Sequence, residues 1–217
     1  MCETYEKIFN NYTERQLSLL CVHSKEICRS LEGSEYITPR VLGLSKSAIV
    51  YEYLDIHASV DVIWRNNPSL DPTVFFKIGS LLNIIHYARG NKLLHGDYVL
   101  HNIFFNKSGE LCLIDFHPPE VIGYDESYLY GDGRTEMYLF LLNLTSSFGV
   151  KLALANVKYV LAAIRNFRRG YQPTGRMLSL ISAMYRFYKI RRAGGFSRFN
   201  ALTHLTCGFI FMLLSHA

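Results

Sequence analysis

Short apolar runs and longer stretches of helical spacing follow one another along this chain. Tyr5-Glu6-Lys7-Ile8-Phe9 reads as a short strand in which Lys7 is flanked by apolar and aromatic residues. Leu17, Leu20, Ile27 and Leu31 then recur at helical spacing, which predicts a helix from Thr13, as N-cap, to Leu31. Gly33 and Ser34 interrupt the pattern, and Thr38 to Gly43 followed by Ala48 to Leu54 read as the two strands of a hairpin. Residues 58–70 are loosely helical, with turns at Asn67-Pro68 and Asp71-Pro72. Asp71 then caps a helix with Pro72 in its first turn, and Phe75, Ile78, Leu82, Ile85 and Tyr87 fall largely on one side as far as Arg89-Gly90.

Next comes the apolar stretch KLLHGD, then two short strands, NIFF and LCLIDF, joined by a turn at Asn106 to Glu110. Another helix begins near Thr135, and three more are expected at about 152–169, 175–191 and 199–215. The last contains Leu205 to Leu214, too short an apolar run to span a bilayer. It is expected to be a buried terminal helix, with an interfacial amphipathic helix as the alternative.

Candidate chemistry concentrates in His95-Gly96-Asp97-Tyr98-Val99-Leu100-His101-Asn102 and in Leu113-Ile114-Asp115-Phe116. An Asp, an Asn five residues on, and a second Asp thirteen residues after that have the spacing of a phosphoryl-transfer site. Asp97 would accept the proton of an attacking hydroxyl, and Asn102 and Asp115 offer the oxygen donors that a hard cation such as Mg²⁺ prefers. The set resembles the catalytic loop and metal-binding segment of the protein-kinase-like superfamily. Gly in HGD is similar to the aminoglycoside phosphotransferase, choline kinase and lipopolysaccharide-core kinase branch.

That resemblance implies an α+β, two-lobed fold: a reduced N-lobe and hinge at residues 1–55, then a mainly helical C-lobe with the catalytic loop at residues 56–217. It implies that Lys7 contacts the nucleotide phosphates and is held by Glu26, nineteen residues on, with Glu14 as the competing partner. The backbone at Glu52, Tyr53 and Leu54 would face the adenine, His95 would pack under the loop, and His101 would line the substrate side. Glu136 or Asp132 would brace the loop. Two departures stand out. Gly33 is the first glycine of the chain, so no glycine-rich loop precedes Lys7, and DFHPPE has no Gly after Asp115-Phe116. No long activation segment or A-P-E sequence follows, which disfavours a regulated protein kinase.

The expected activity is ATP- and Mg²⁺-dependent phosphorylation of a hydroxyl on a small molecule or glycan, a cell-envelope sugar being the specific expectation. The alternatives are a pseudokinase that binds an anionic partner and an atypical protein kinase.

Composition adds compartment and partner. Of the 217 residues 49% are hydrophobic and 14% aromatic, which excludes a disordered chain. Five cysteines without C-x-x-C spacing point to free thiols in a reducing compartment. Met-Cys-Glu-Thr-Tyr-Glu-Lys has no apolar core, so no secretory signal is expected and the cytoplasm is the expected location. The net charge of +5 is unevenly spread: residues 1–150 hold all 18 acids against 12 Lys and Arg, whereas residues 151–217 hold 11 Lys and Arg and no acid. A basic C-terminal third suits peripheral contact with the inner face of a membrane, or less readily nucleic acid, and equally suits a solvated basic face.

Overall fold

The helical spacing after Thr13 becomes α1 (Glu14–Leu31) in the computed structural model, which describes residues 3–87, 93–116, 132–172 and 177–215. Thr13 accepts from the Gln16 N–H while the Gln16 side chain accepts from the Thr13 N–H, a reciprocal capping box that satisfies two of the helix's orphan donors. The chain divides into two compact units, Met1–Val60 with Ile84–Tyr130, and Asp61–Asn83 with Gly131–Ala217.

Two three-stranded sheets build the first unit. One has the order β1-β3-β2, from β1 (Thr4–Ile8), β2 (Val41–Leu44) and β3 (Ala48–Glu52), all antiparallel. Pairing Lys7 with Ile49 and Tyr5 with Tyr51 fixes the register. Leu17, Leu20 and Cys21 of α1 pack with Phe9, Ile49 and Tyr51. Burial of each such large aliphatic chain contributes about 1.5–3 kcal/mol.

The second sheet has the order β4-β5-β6, from β4 (Ile56–Ser59), β5 (Ile103–Asn106) and β6 (Leu111–Leu113). The loosely helical stretch 58–70 holds α2 (Val60–Asn66), while its first two residues, Ala58 and Ser59, end β4 instead, where pairing with β5 decides the conformation. Ile37 joins this sheet by a parallel bridge to Cys112. Burial, with the Glu110 charge second, pushes the Cys112 thiol up to about 11, so this strand residue stays an inert, uncharged thiol.

Helices dominate the second unit: most of α2 (Val60–Asn66) and α3 (Thr73–Tyr87), then α4 (Gly133–Ser147), α5 (Val150–Ala155), α6 (Val157–Tyr171), α7 (Met177–Ala193) and α8 (Arg198–Leu214). One helix is expected over 152–169, but the chain breaks it at Asn156, whose backbone leaves helical angles (φ −120, ψ 29) while its Nδ2 donates to the Leu152 carbonyl. Such a side chain competes with the backbone for hydrogen bonds. Trp64 nests between Phe75 and Phe148, with ring centroids 4.7 and 4.2 Å away, and Phe140 stacks on Phe167 at 4.5 Å.

At one crossing two helices meet backbone to backbone. A Cβ on Gly79 of α3 would stand 2.1 Å from the Phe167 carbonyl oxygen, and one on Gly170 of α6 would stand 2.0 Å from that of Phe76. At the end of α8, Arg168 Nη1 donates to the Met212 carbonyl at 3.2 Å and to Ser215 Oγ at 2.7 Å, a cation on the negative end of a helix.

Asp132 is the N-cap of α4, accepting from the Thr135 N–H at 2.9 Å and from the Ser179 hydroxyl of α7 at 3.0 Å. Burial alone would raise its carboxyl, but the bonds from Thr135 and Ser179 outweigh it and hold it below the ordinary range. A lowered folded-state pKa gives stability that is complete above the unfolded value and is lost as pH falls through the folded one. Asp132→Ala is therefore expected to cost about 1–2 kcal/mol at neutral pH and much less once the pH is well under about 4. Urea melts of both proteins at the two pH values check this; an unchanged difference would show that the carboxylate's charge is irrelevant.

Candidate active site

Five of the residues singled out in the sequence converge in the first unit. β5 and β6 pair Ile103 with Leu113, and the ladder runs on one step, with the Ile114 N–H donating to the Asn102 carbonyl at 3.1 Å. Asn102 and Asp115 thus leave the same end of one hairpin. Between His95 and Asn102 the chain forms a loop closed by a short 3₁₀ turn, Leu100–Asn102. Gly96 in that loop has φ +89, a left-handed conformation in which a side chain is strained, and this accounts for glycine in HGD.

His95 is fully buried and uses both ring nitrogens. Nε2 donates to the Ile114 carbonyl at 3.1 Å, and Nδ1 accepts from the Asp97 N–H at 3.3 Å. Its ring meets Tyr98 and Phe116 edge-on, with centroids 5.4 and 5.2 Å away. The imidazole thereby ties the backbone of this loop to the strand that leads into Asp115.

Asn102 is buried, and its Nδ2 donates both to the Asp97 carbonyl and to Asp97 Oδ2, each at 3.0 Å. That amide orients the half-buried Asp97 carboxylate. Among the described residues no hydrogen bond engages Asn102 Oδ1, which leaves an oxygen for a cation. Asp115 stands at φ +67, a conformation uncommon for any residue with a side chain and tolerated best by Asn and Asp. Such an outlier persists where the surroundings over-determine it, a recurring property of ligand-binding positions.

Lys7 reaches Asp115 from the other sheet, its ammonium donating to Oδ1 as an ion pair. Glu26 is half-buried on α1 and Glu14 exposed in its first turn; neither pairs with Lys7 among the described residues. Glu52 is held by Arg40 through two parallel bonds of 2.9 Å. The N–H groups of Glu52 and Tyr53 donate to the Arg40 and Glu3 carbonyls, so of Glu52, Tyr53 and Leu54 it is Leu54 whose N–H is not so engaged among the described residues. His101 is exposed. Glu136 is buried in the first turn of α4, in the second unit. His117, Pro118, Pro119 and residues 128–131 lie outside the described residues.

Tyr12 is a neighbour that sequence reasoning passed over. Its ring meets Phe9 edge-on at 5.0 Å, Lys7 Nζ lies 5.4 Å from the same Phe9 ring, and its phenol is raised by burial and then by the Asp115 charge. Only an aromatic residue in the polar turn Asn10-Asn11-Tyr12 hinted at it. Tyr51, on β3, is pushed up to about 12, chiefly by burial, and its hydroxyl shares a hydrogen bond with Ser24.

The donor set fits a hard cation of the Mg²⁺ type. Among the described residues there is no cluster of three or more His, Cys, Asp or Glu that could hold a metal. Mg²⁺ asks for less than such a cage: one or two carboxylates with substrate phosphates and waters completing the shell. Asp115 and Asn102 Oδ1 could supply that share, and Lys7 could offer a cation to a phosphate if it left Asp115.

No family model matches the chain, and no curated protein matches it. Among solved structures, an ethanolamine kinase from Plasmodium vivax superposes on it with a TM-score of 0.50 at 11% identity, covering 100% of this chain and 76% of that one. The chain is therefore a mixed α/β protein that shares its fold with a small-molecule kinase.

Proposed function

We propose that this chain is an ATP- and Mg²⁺-dependent phosphotransferase acting on a hydroxyl of a small molecule or glycan, with a cell-envelope sugar as the acceptor to try first. The observation that carries the reading is the Asn102 amide gripping the Asp97 carboxylate while Asp115 leaves the same hairpin end. Asp97 would take the proton of the attacking hydroxyl. Its placement by Asn102 and His95 supplies the orientation such a step needs. Asn102 Oδ1 and Asp115 would hold the metal, which when bound offsets charge on the phosphates. Lys7 would meet the phosphates, and the adenine would lie against Glu52, Tyr53 and Leu54.

The Lys7–Asp115 ion pair favours a second reading. The two groups meant for phosphate and metal neutralise one another, as they would in a pseudokinase that recruits an anionic partner.

Thermal denaturation with ATP and Mg²⁺ separates the readings. A ligand at a hundred times its dissociation constant stabilises by about 2.7 kcal/mol. A rise in melting temperature that needs both ATP and Mg²⁺, together with phosphate transfer from labelled ATP, is the expected result. No shift at millimolar nucleotide would turn the assignment to the binding module.

A further inference from the structure

We propose that α5 and α8 form a surface by which this chain binds an anionic phospholipid bilayer. Between them lies an open groove of about 480 Å³, lined mainly by Val150, Leu154, Phe199, Leu202, Ile210 and Phe211. Several water-facing apolar chains stand on its walls: Phe199 is 78% exposed, Leu154 60% and Leu202 51%. A concave apolar patch of this kind on an otherwise folded surface marks an interaction site.

Charge selects the occupant. The second unit carries fourteen Lys and Arg against four acids, Asp61, Asp71, Asp132 and Glu136, a net +10, and no acid follows Glu136. Asp61 pairs with Arg65, Asp71 accepts from the N–H and hydroxyl of Thr73, and Asp132 caps α4. Lys151, Lys158 and Arg198 are exposed; Lys151 and Arg198 adjoin the groove residues Val150 and Phe199 in sequence, and Lys158 follows Leu154 by four residues, across the break at Asn156.

A second copy would bring the same positive charge, which opposes self-association. Nucleic acid would answer the charge but not the apolar groove. An anionic bilayer answers both, since side chains such as Phe199 and Leu154 enter the boundary of headgroups and acyl chains while Lys and Arg keep their charges at headgroup level. No helix among the described residues is long and apolar enough to cross a membrane, so the contact is interfacial. It stands independently of the kinase reading, and its test uses no nucleotide.

The test is co-sedimentation of the full chain with phosphatidylcholine vesicles made with and without phosphatidylglycerol. Binding is expected only with phosphatidylglycerol and is expected to weaken with salt. Phe199→Ser and Leu154→Ser should each lower the partition by about tenfold or more, the loss of one buried apolar side chain. Lys151→Gln and Arg198→Gln should each lower it roughly fivefold. All four side chains are exposed, and unchanged melting curves would verify that folding is intact.

Equal binding to both vesicle types would overturn the proposal, as would groove variants that bind like wild type. So would a loss confined to Ile181→Ser, which probes the separate exposed apolar stripe of Leu178, Ile181 and Tyr185 on α7. A concentration-dependent dimer abolished by Phe199→Ser, without vesicle binding, would assign the groove to a second copy instead.

Discussion

The Asp97→Asn protein is expected to transfer phosphate roughly 10²–10⁴-fold more slowly than wild type while unfolding at nearly the same denaturant concentration. The amide oxygen of the new side chain can still accept from Asn102 Nδ2, so the 3.0 Å contact that orients the group survives. What disappears is the negative charge on which the proposed base role rests. Asp115→Asn differs in kind, because it also removes the partner of Lys7 and the only charge offered to a metal by the hairpin end. It should weaken the ATP- and Mg²⁺-dependent thermal shift as well as the rate, whereas Asp97→Asn should leave that shift in place. Transfer from labelled ATP, measured beside nucleotide-induced stabilisation for all three proteins, separates the roles. Equal transfer by wild type and Asp97→Asn would remove the carboxylate from the chemistry.

Gly79→Ala is expected to lose more than about 3 kcal/mol of stability, although alanine is the better helix former by about 1 kcal/mol. The added methyl would sit 2.1 Å from the Phe167 carbonyl oxygen, and that oxygen belongs to helix backbone and cannot turn aside. α3 and α6 would have to separate, which opens packing around Phe140, Phe167 and Tyr171. Gly170→Ala makes the reciprocal clash with Phe76, so one separation of the helices relieves both. The double variant should then cost clearly less than the sum of the single ones. Chemical denaturation of the three variants gives the answer; a single variant as stable as wild type would mean that the helices are not in backbone contact.

Sequence spacing revealed local geometry well and distant partners poorly. Asp97, Asn102 and Asp115 fall within one loop and one hairpin, where turn chemistry and strand pairing leave few ways to place them. The encounter of Lys7 with Asp115 spans 108 positions, and no periodicity encodes it. Separation along the chain suggests Glu26 for Lys7 but does not tell which of two carboxylates lies nearer in space. Nothing in the sequence marks Gly79 and Gly170 as a pair, because the reason for each is the backbone of the facing helix. The break at Asn156 is invisible to spacing for a related reason: apolar residues continue across it, while the side-chain bond to Leu152 that ends the helix has no periodic signature.

That break leaves α5 as a helix of six residues, far short of the length at which a helix holds together in water unaided. Its order is borrowed from what it packs on, and within it only Ala153 is buried. The amide protons of α5 should therefore exchange with solvent through small local openings, at a free-energy cost well under that of unfolding the chain, while those of α6 and α8 exchange more slowly. One wall of the groove is thus free to yield, and what enters need not match its resting outline.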